Sequence, residues 1–412
     1  MRKALQHRDF RLLFTGQAVS AIGDQIFPVA VTVQVLDHGG TVSDLGLVLS
    51  ARFASLVLFA LLGGVWADRL PRVKVLIGAD VTRLLAVLGL AVVVAGTTSL
   101  AVLAPLVFLV GAGEAFFRPA YSALIPSVLP PERLAAGNAL SGSTFHVAMI
   151  IGPGVAGILT AAVGPRGALM VDAFTFAVSL GTLLQVSEPP YRRKERQRVR
   201  TEIGEGIRAV LQRPWIAAVL LMAMTQLLLL IPACSVLLPK VIKETGAQTA
   251  SYGYVLAIGA VGGLIGALVA GHLSPRRPGL VGLAGLVLAV GEPVALLLGA
   301  PPWVLAAAWF VSSLGLGPFL VFWETALQRD VPRELLARVV SLDWMTSFAL
   351  LPLGLATVGP VIDAVGRGPV LVVAAVAAVV PPLLCLPVRG AVAFRTPEED
   401  LSARAARRAV PA

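Results

Sequence analysis

Long apolar stretches recur along the whole sequence, separated by short polar segments that carry most of its charge. Because a helix that crosses a bilayer core needs roughly 20 apolar residues, each stretch is long enough to span a membrane. Only 14% of the 412 residues are charged, about half the share of a soluble domain, which excludes a soluble enzyme and a disordered chain alike. We predict twelve spans, at residues 12–36, 44–66, 75–96, 100–118, 138–162, 166–186, 215–238, 251–273, 279–299, 302–323, 341–363 and 368–388.

The basic residues are distributed unevenly between the segments that flank these spans. If both termini are cytoplasmic, 27 lysines and arginines fall on the cytoplasmic side, four on the opposite side and two within spans. Cytoplasmic loops carry an excess of Lys and Arg, so we predict a multi-pass protein of a bacterial inner membrane with cytoplasmic N- and C-termini. The net charge of +10 then reflects topology and contact with anionic membrane lipid, and no nucleic-acid partner is needed to explain it.

The longest polar segment divides the spans six and six, and the two halves resemble each other. PERLAA at 131–136 corresponds to PRELLA at 332–337, and AVG at 162–164 to AVG at 364–366, an offset of 201–202 residues. This repeat indicates duplication of a six-helix unit. We predict an N-terminal bundle (1–187), a cytoplasmic linker (188–214), a C-terminal bundle (215–390) and a disordered cytoplasmic tail (391–412).

Residues 64–74, GVWADRLPRVK, connect spans two and three. The segment resembles the G-x-x-x-D-R-x-x-R loop signature of the major facilitator superfamily. The resemblance implies a conformational latch made by Gly64, Asp68, Arg69 and Arg72, in which the Asp contacts the positive N-terminal end of helix eleven. The alternative for the basic residues is that they serve topology alone.

Residues 8–390 as a whole resemble this superfamily, and in particular its bacterial branch of enterobactin exporters and macrolide efflux proteins. The resemblance is carried by HRDFR (7–11), AFFRPAY (115–121), PERL (131–134) and ARVVS (337–341). It implies an all-α membrane fold of twelve transmembrane helices in two pseudo-symmetric six-helix bundles. Such paired bundles enclose a central site and rock about it.

Span five contains IGPGVAG at 151–157, which resembles the helix-five signature of drug/proton antiporters in this superfamily. Small residues let helices approach closely in lipid, so we predict that spans five and eight meet across the halves and form a seal that favours export. A packing face without a role in transport is the alternative. The motif residues in span five are Gly152, Pro153, Ala156 and Gly157, and the matching stripe in span eight is Gly259, Gly262, Gly263, Gly266 and Ala270.

Ionisable residues within spans are functional candidates, because an isolated charge in a bilayer costs several kcal/mol. Asp80 and Arg83 are spaced to pair within one helix, and Asp172 and Asp363 are expected near helix ends, in contact with water. The full set is Asp24, Arg52, Asp80, Arg83, Glu114, His146, Asp172, Glu292, Glu324, Asp343 and Asp363.

Five residues are candidates for coupling to protons or substrate. Asp24, in the middle of span one, is either a proton or substrate-cation site or a structural partner of Arg52. Glu114 has the same potential role, with Arg118 as a neutralising neighbour. His146 is either a relay or a hydrogen-bonded pore histidine.

Two further carboxylates are candidates for the substrate cavity. Glu324 and Asp343 each adjoin a tryptophan, a combination that can hold cationic amphiphiles, although a helix-end role is equally compatible. Many proton-coupled members of the superfamily have an arginine in helix four at the position of Val107, so Arg52 or Arg118 would have to replace it here.

The sequence lacks the motifs of the main catalytic classes. It contains no G-x-x-x-x-G-K-[ST] phosphate loop, no H-E-x-x-H and no G-x-S-x-G, and its two cysteines have no metal-site spacing. We predict no enzymatic activity, no catalytic residue, no cofactor and no metal, with the proton gradient as the energy source.

These features predict a secondary transporter, functional as a monomer, that exports an amphipathic small molecule (drug, siderophore or secondary metabolite) by proton antiport. A metabolite importer or facilitator, a lysolipid flippase and a membrane-embedded enzyme are the alternatives.

Overall fold

The computed structural model describes residues 4–67, 70–94, 99–188, 199–247 and 250–397, and all regular secondary structure within these ranges is helical. The α-helices are α1 (Arg8–Gly23), α2 (Ile26–Asp37), α3 (Val42–Ala67), α4 (Arg72–Val93), α5 (Leu100–Val128), α6 (Leu134–Leu183), α7 (Val199–Leu211), α8 (Pro214–Glu244), α9 (Ala250–His272), α10 (Pro278–Val287), α11 (Gly291–Leu297), α12 (Pro302–Asp330), α13 (Arg333–Ala349), α14 (Leu351–Val365) and α15 (Arg367–Cys385).

Ten stretches of the described chain are long and apolar enough to cross a membrane. α1 and α2 together make the first crossing, and α10, a 3-10 turn (Leu288–Val290) and α11 make the ninth. Two more crossings come from the second arm of the 50-residue α6 and from α13 with the shorter apolar α14. The predicted all-α fold with twelve transmembrane helices is confirmed.

Two glycines make corresponding turns in the two halves. Gly164 divides α6 into a first arm (134–163) and a second arm (165–183), with φ 74° and ψ 168°. Gly366 joins α14 to α15 with φ 83° and ψ 166°. Glycine adopts a positive φ without the steric penalty of a side chain. Because the two positions are 202 residues apart, the internal repeat extends to backbone conformation.

The first crossing is interrupted at Asp24 and Gln25, between α1 and α2. Pro28 explains the interruption, because its ring carries no N–H and collides with the carbonyl of the residue four positions earlier, Asp24. The interruption places an ionisable side chain at an irregular point in the middle of a membrane helix.

Contacts between chain segments define two faces of the molecule. The Asp9 carboxylate accepts a hydrogen bond from the Ser187 amide (3.3 Å), which brings the start of α1 and the end of α6 to one face. Arg213 pairs with Asp330 (3.6 Å) at the corresponding face of the second half. We call this face the terminal side and the opposite face the far side.

The apolar core is shared by both halves on the far side and divided on the terminal side. One cluster combines α2, α3 and the far ends of α4 and α5 with α8, α14 and α15. Two separate clusters lie on the terminal side, one built from the first half around Phe10 and Leu124 and one from the second half around Trp215 and Phe322. The described apolar core is therefore continuous between the halves on the far side and divided into two clusters on the terminal side.

The linker and the start of the tail differ from the sequence prediction. The predicted linker contains the helix α7, which buries Ala209 and Val210. Residues 391–397, predicted to be disordered, pack on the terminal side, where the Phe394 ring is fully buried and stacks on Trp215 with ring centroids 5.6 Å apart. The Thr396 amide donates to the Asp330 carboxylate (3.1 Å). Burial of this aromatic ring opposes disorder; residues 398–412 lie outside the described residues.

Candidate transport site

A network of charged side chains is buried inside the first half, and Arg83 is at its centre. The Arg83 guanidinium pairs with Asp80 and reaches both oxygens of Asp24 at 3.3 Å. Its Cζ lies 4.4 Å from the ring centroid of Phe117 and 4.6 Å from that of Phe176. The pairing within one helix is confirmed, but Arg83 also ties α4 to the interruption in the first crossing. The alternative that Asp24 pairs with Arg52 is wrong, because Asp24 pairs with Arg83, while Arg52 pairs with Glu114.

The second part of this network is Glu114 on α5, held by two arginines. Arg52 donates to Oε2 from Nε (3.2 Å) and Nη2 (2.9 Å), and Arg118 donates to Oε1 from Nε (3.1 Å) and Nη2 (2.6 Å). Arg52 also lies 5.5 Å from the ring centroid of Phe27, and Arg118 lies 4.7 Å from that of Phe145. The predicted neutralisation of Glu114 by Arg118 is confirmed. The Arg118 side chain is 41% exposed, so this part of the network is not fully enclosed by protein.

Asp172 belongs to the same network, which corrects the expectation that it lies near a helix end in contact with water. It is in the middle of the second arm of α6 and is 0% exposed. Its Oδ2 has no hydrogen-bond partner among the described residues. Its Oδ1 lies close to Gly23: a Cβ added to Gly23 would be 2.7 Å from this oxygen. The burial arises because this arm packs directly against α1 where the first crossing is interrupted.

The net charge of the network depends on whether one of its carboxyl groups holds a proton. It contains four carboxyl groups (Asp24, Asp80, Glu114 and Asp172) and three guanidinium groups (Arg52, Arg83 and Arg118). If every group is ionised, the network carries one negative charge in excess, and a buried uncompensated charge is strongly unfavourable. One proton bound to a carboxyl group balances it. Asp80 is further fixed by the Ser179 hydroxyl, which donates at 2.6 Å, whereas Asp172 lacks an ionic partner among the described ion pairs.

The predicted contact between spans five and eight is confirmed, but the residues that make it differ in part. The first arm of α6 meets α9 where Gly157 lies against Gly253 and Gly154 against Ala257; a Cβ on Gly157 would lie 1.9 Å from the Gly253 Cα. Gly152 packs instead on the Gln25 side chain within its own half. Pro153 and the fully buried Ala156 belong to the same arm.

The stripe in span eight that was predicted to join this seal faces another helix. Gly259, Gly262 and Gly266 pack against α12, where a Cβ on Gly262 would lie 2.3 Å from the Phe310 carbonyl oxygen. Glycine spacing identifies a close-packing face of a helix, but it does not say which neighbour occupies that face.

Polar contacts reinforce the closure on the far side. The Ser43 hydroxyl at the start of α3 donates to Asp363 at the end of α14 (2.6 Å). Lys243 on α8 donates to the Leu36 carbonyl and lies 3.8 Å from Asp37. Asp363 is therefore at a helix end, as expected, and joins the two halves. Among the described residues, these contacts hold the two halves together on the far side.

The latch residues are only partly described. Asp68 and Arg69 lie outside the described residues, and Gly64 is in the last turn of α3, with its surroundings also outside them. Arg72 donates to the Ser127 hydroxyl (2.6 Å) and lies 4.0 Å from Glu188. These contacts join segments of the first half, and a latch to helix eleven stays a prediction.

The remaining candidates lie apart from the network. His146 is in the first arm of α6, but its side chain is outside the described part of the chain. The Trp323 indole donates to Asp343 (3.3 Å), and the exposed Glu324 is next to it in sequence on α12. Asp343 is therefore associated with an aromatic side chain, but the partner seen is Trp323; the side chain of Trp344, its predicted neighbour, lies outside the described part of the chain. A substrate role for either acid stays a prediction.

Comparison with known proteins identifies the family. Residues 13–351 match the family model described as Major Facilitator Superfamily. The chain belongs to the major facilitator superfamily. It is 29% identical to the multidrug efflux pump Tap of Mycobacterium tuberculosis over 98% of both chains and 30% identical to Tap of Mycolicibacterium fortuitum, with 86% of this chain and 89% of the relative covered. The enterobactin exporter EntS of Escherichia coli is 27% identical, with 81% and 80% covered.

Solved structures show the same fold. A bacterial homologue of the iron transporter ferroportin, in an inward-facing state, has a TM-score of 0.72 at 20% identity and covers 92% of this chain and 98% of its own. A bacterial homologue of the lysosomal transporter Spinster has a TM-score of 0.67 at 17% identity, with 98% of both chains covered. The predicted resemblance to the efflux branch is confirmed, and this member of the superfamily is a transport protein rather than an enzyme.

Sequence reasoning missed part of the site. Asp80, Arg83 and Asp172 were recognised as ionisable residues in spans but assigned local roles, and Ser179 was not considered. An aspartate in the middle of a span indicates a functional group, and that signal alone would have kept Asp172 as a candidate.

Proposed function

We propose that this transporter exports an amphipathic small molecule from the bacterial cytoplasm in exchange for protons, by alternating access. The observation that carries the proposal is the buried network of four carboxyl groups and three guanidinium groups in the first half. A network that is one positive charge short binds one proton without leaving a net charge in the membrane.

The geometry favours the pair Asp24 and Asp172 as the place where that proton resides. Asp24 is 17% exposed and shares Arg83 with Asp80, while Asp172 is buried without a cation of its own. Glu114 is occupied by two arginines, which stabilise its carboxylate. A proton on Asp172 leaves three carboxylates to match the three guanidinium groups.

The proposed access route is the terminal side, where the described apolar core is divided between the halves. The positive-inside distribution supports a cytoplasmic terminal side, and the proposal is that substrate enters from there. The partly buried Phe145 ring, 4.7 Å from the Arg118 guanidinium, supplies apolar surface beside charge, which suits an amphipathic molecule. The known relatives named for multidrug and enterobactin export support this direction and substrate class.

The proposal is tested with purified protein in proteoliposomes and a fluorescent lipophilic cation under an imposed pH gradient. We expect transport that collapses with a protonophore, and that Asp172→Asn reduces pH-driven transport at least about tenfold, because the amide cannot exchange a proton. Asp24→Asn is expected to act in the same way.

The matched control is Glu132→Gln, which removes an exposed carboxylate on the terminal side and should transport like the unmodified protein. Transport that ignores the pH gradient in the unmodified protein would overturn proton antiport. Movement of substrate with the proton flux would favour an importer, and movement of a labelled lysophospholipid instead of the cation would favour a flippase.

A further inference from the structure

The second half contains a carboxyl group in surroundings very different from the network of the first half. Glu292, the second residue of α11, is 9% exposed. Its carboxyl group lies beside the Ser312 hydroxyl on α12 and the Cys234 thiol on α8. Both partners are themselves buried, at 7% and 3% exposure, and both are uncharged.

No basic side chain compensates Glu292 among the described ion pairs. α11 packs against α8, α12, α15 and the 3-10 turn. The 3-10 turn has no ionisable residue, and the other three helices carry theirs away from Glu292. The ionisable residues of α8 (Lys240, Lys243 and Glu244) lie more than one turn beyond Cys234. Those of α12 (Glu324, Arg329 and Asp330) lie three turns or more beyond Ser312, and those of α15 (Arg367 and Cys385) lie at its two ends.

Two of these end groups have partners of their own. Arg367 pairs with Glu244 on the far side, and the Cys385 thiol donates to the Ala218 carbonyl (3.5 Å). An ionised carboxylate at Glu292 would therefore be buried without a cation, which is costly in a protein interior. In the described conformation the group is compatible with burial only when it holds a proton.

The helix that carries Glu292 is interrupted immediately before it. α10 ends at Val287, the 3-10 turn spans Leu288–Val290, and α11 begins at Gly291. A 3-10 stretch in the middle of a helix frequently marks a functional hinge. Motion at this point would change the exposure of the carboxyl group relative to Cys234 and Ser312.

We propose that Glu292 is a second proton-binding site, located in the C-terminal half, which holds its proton while α10 and α11 are packed as described and releases it when the 3-10 turn opens. The inference rests on the proposed proton exchange and adds a second proton to each transport cycle. The first half then balances its charges with a proton, while the second half buries a neutral carboxylic acid.

The test is infrared spectroscopy on the purified full chain in lipid nanodiscs, as a pH titration. The spectrum of the unmodified protein minus that of Glu292→Gln should contain a carbonyl-stretch band of a protonated carboxylic acid in apolar surroundings, which is the band of Glu292. The band expected from a proton on Asp172 cancels in this difference. Glu244→Gln, which removes an exposed carboxylate on the far side, is the matched control and should keep the Glu292 band. Ser312→Ala should shift the pH at which the band disappears, and this variant serves if Glu292→Gln does not fold.

Identical carbonyl-stretch bands in the unmodified protein and Glu292→Gln, or a Glu292 band that is unchanged in Ser312→Ala, overturn the inference. The same two variants are then assayed in proteoliposomes, where Glu292→Gln should reduce the number of protons moved per substrate. If transport is independent of the pH gradient but the Glu292 band is present, the proposed antiport fails and the protonated site stands. If antiport is intact and the band is absent, only the present inference fails.

Discussion

At the scale of single residues, the site depends on charges that the fold buries and pairs. Arg83 is 1% exposed, contacts Asp24 and Asp80, and lies between two aromatic rings. Removing one partner of a buried ion pair is far more damaging than the net stabilisation the pair provides, since it leaves an uncompensated charge. The arginines of the network therefore have unequal importance.

Arg83→Gln should destabilise the protein by about 3–5 kcal/mol, because two buried carboxylates lose their shared cation. Arg118→Gln is the matched control: its side chain is 41% exposed and Glu114 keeps Arg52, so a loss of about 1 kcal/mol or less is expected. Thermal unfolding of the detergent-solubilised variants measures both. Equal losses in the two variants would contradict the central role of Arg83.

At the scale of helices, interruptions and close approaches determine where the site can form. Pro28 interrupts the first crossing at Asp24, and Gly164 turns α6 back so that its second arm brings Asp172 against Gly23. The first arm of α6 meets α9 backbone to backbone at Gly157 and Gly253, and no side chain fits between them.

Gly157→Ala should weaken the contact between α6 and α9, because the added methyl would lie 1.9 Å from the Gly253 Cα. Overpacking of this kind costs about 1–3 kcal/mol, which corresponds to roughly a 5- to 150-fold shift away from the conformation closed on the far side. We expect slower transport in proteoliposomes. Gly181→Ala, at a position of α6 where a Cβ meets nothing within 4 Å, is the control, and similar rates in the two variants would argue against the seal.

At the scale of the whole molecule, the two halves share one apolar core on the far side and keep separate cores on the terminal side. The contacts across the halves include Ser43 with Asp363 and Lys243 with Leu36. Alternating access requires these contacts to break once in each cycle. A cross-link at one of them should therefore hold the transporter in one conformation.

A disulfide between Ser43→Cys and Asp363→Cys should lock the far side closed, because the two side chains are 2.6 Å apart at their polar atoms. The background is Cys234→Ser with Cys385→Ser, which removes both native thiols. Oxidation should abolish transport and a reductant should restore it, while each single-cysteine variant should stay active. Full transport by the cross-linked protein, verified by its mobility in a denaturing gel, would show that the far side need not open here.

The sequence by itself determined the number of crossings, the internal repeat and the family. Those properties depend on apolar length, on glycines at matching positions such as Gly164 and Gly366, and on local motifs, all of which are readable along the chain. It also identified Asp24, Arg52, Glu114 and Arg118 as members of the site.

Only the tertiary structure decided which charges neutralise one another. Arg83 pairs with Asp24 as well as with Asp80 on its own helix, and Arg52 pairs with Glu114. Asp172 is buried in the network instead of lying near water. It also placed the glycine stripe of α9 on α12 and buried Phe394 in a segment expected to be disordered. The physical reason is that pairing and burial depend on which helix faces meet in space. Residues as far apart as Ser43 and Asp363, 320 positions, are in contact without any local signal.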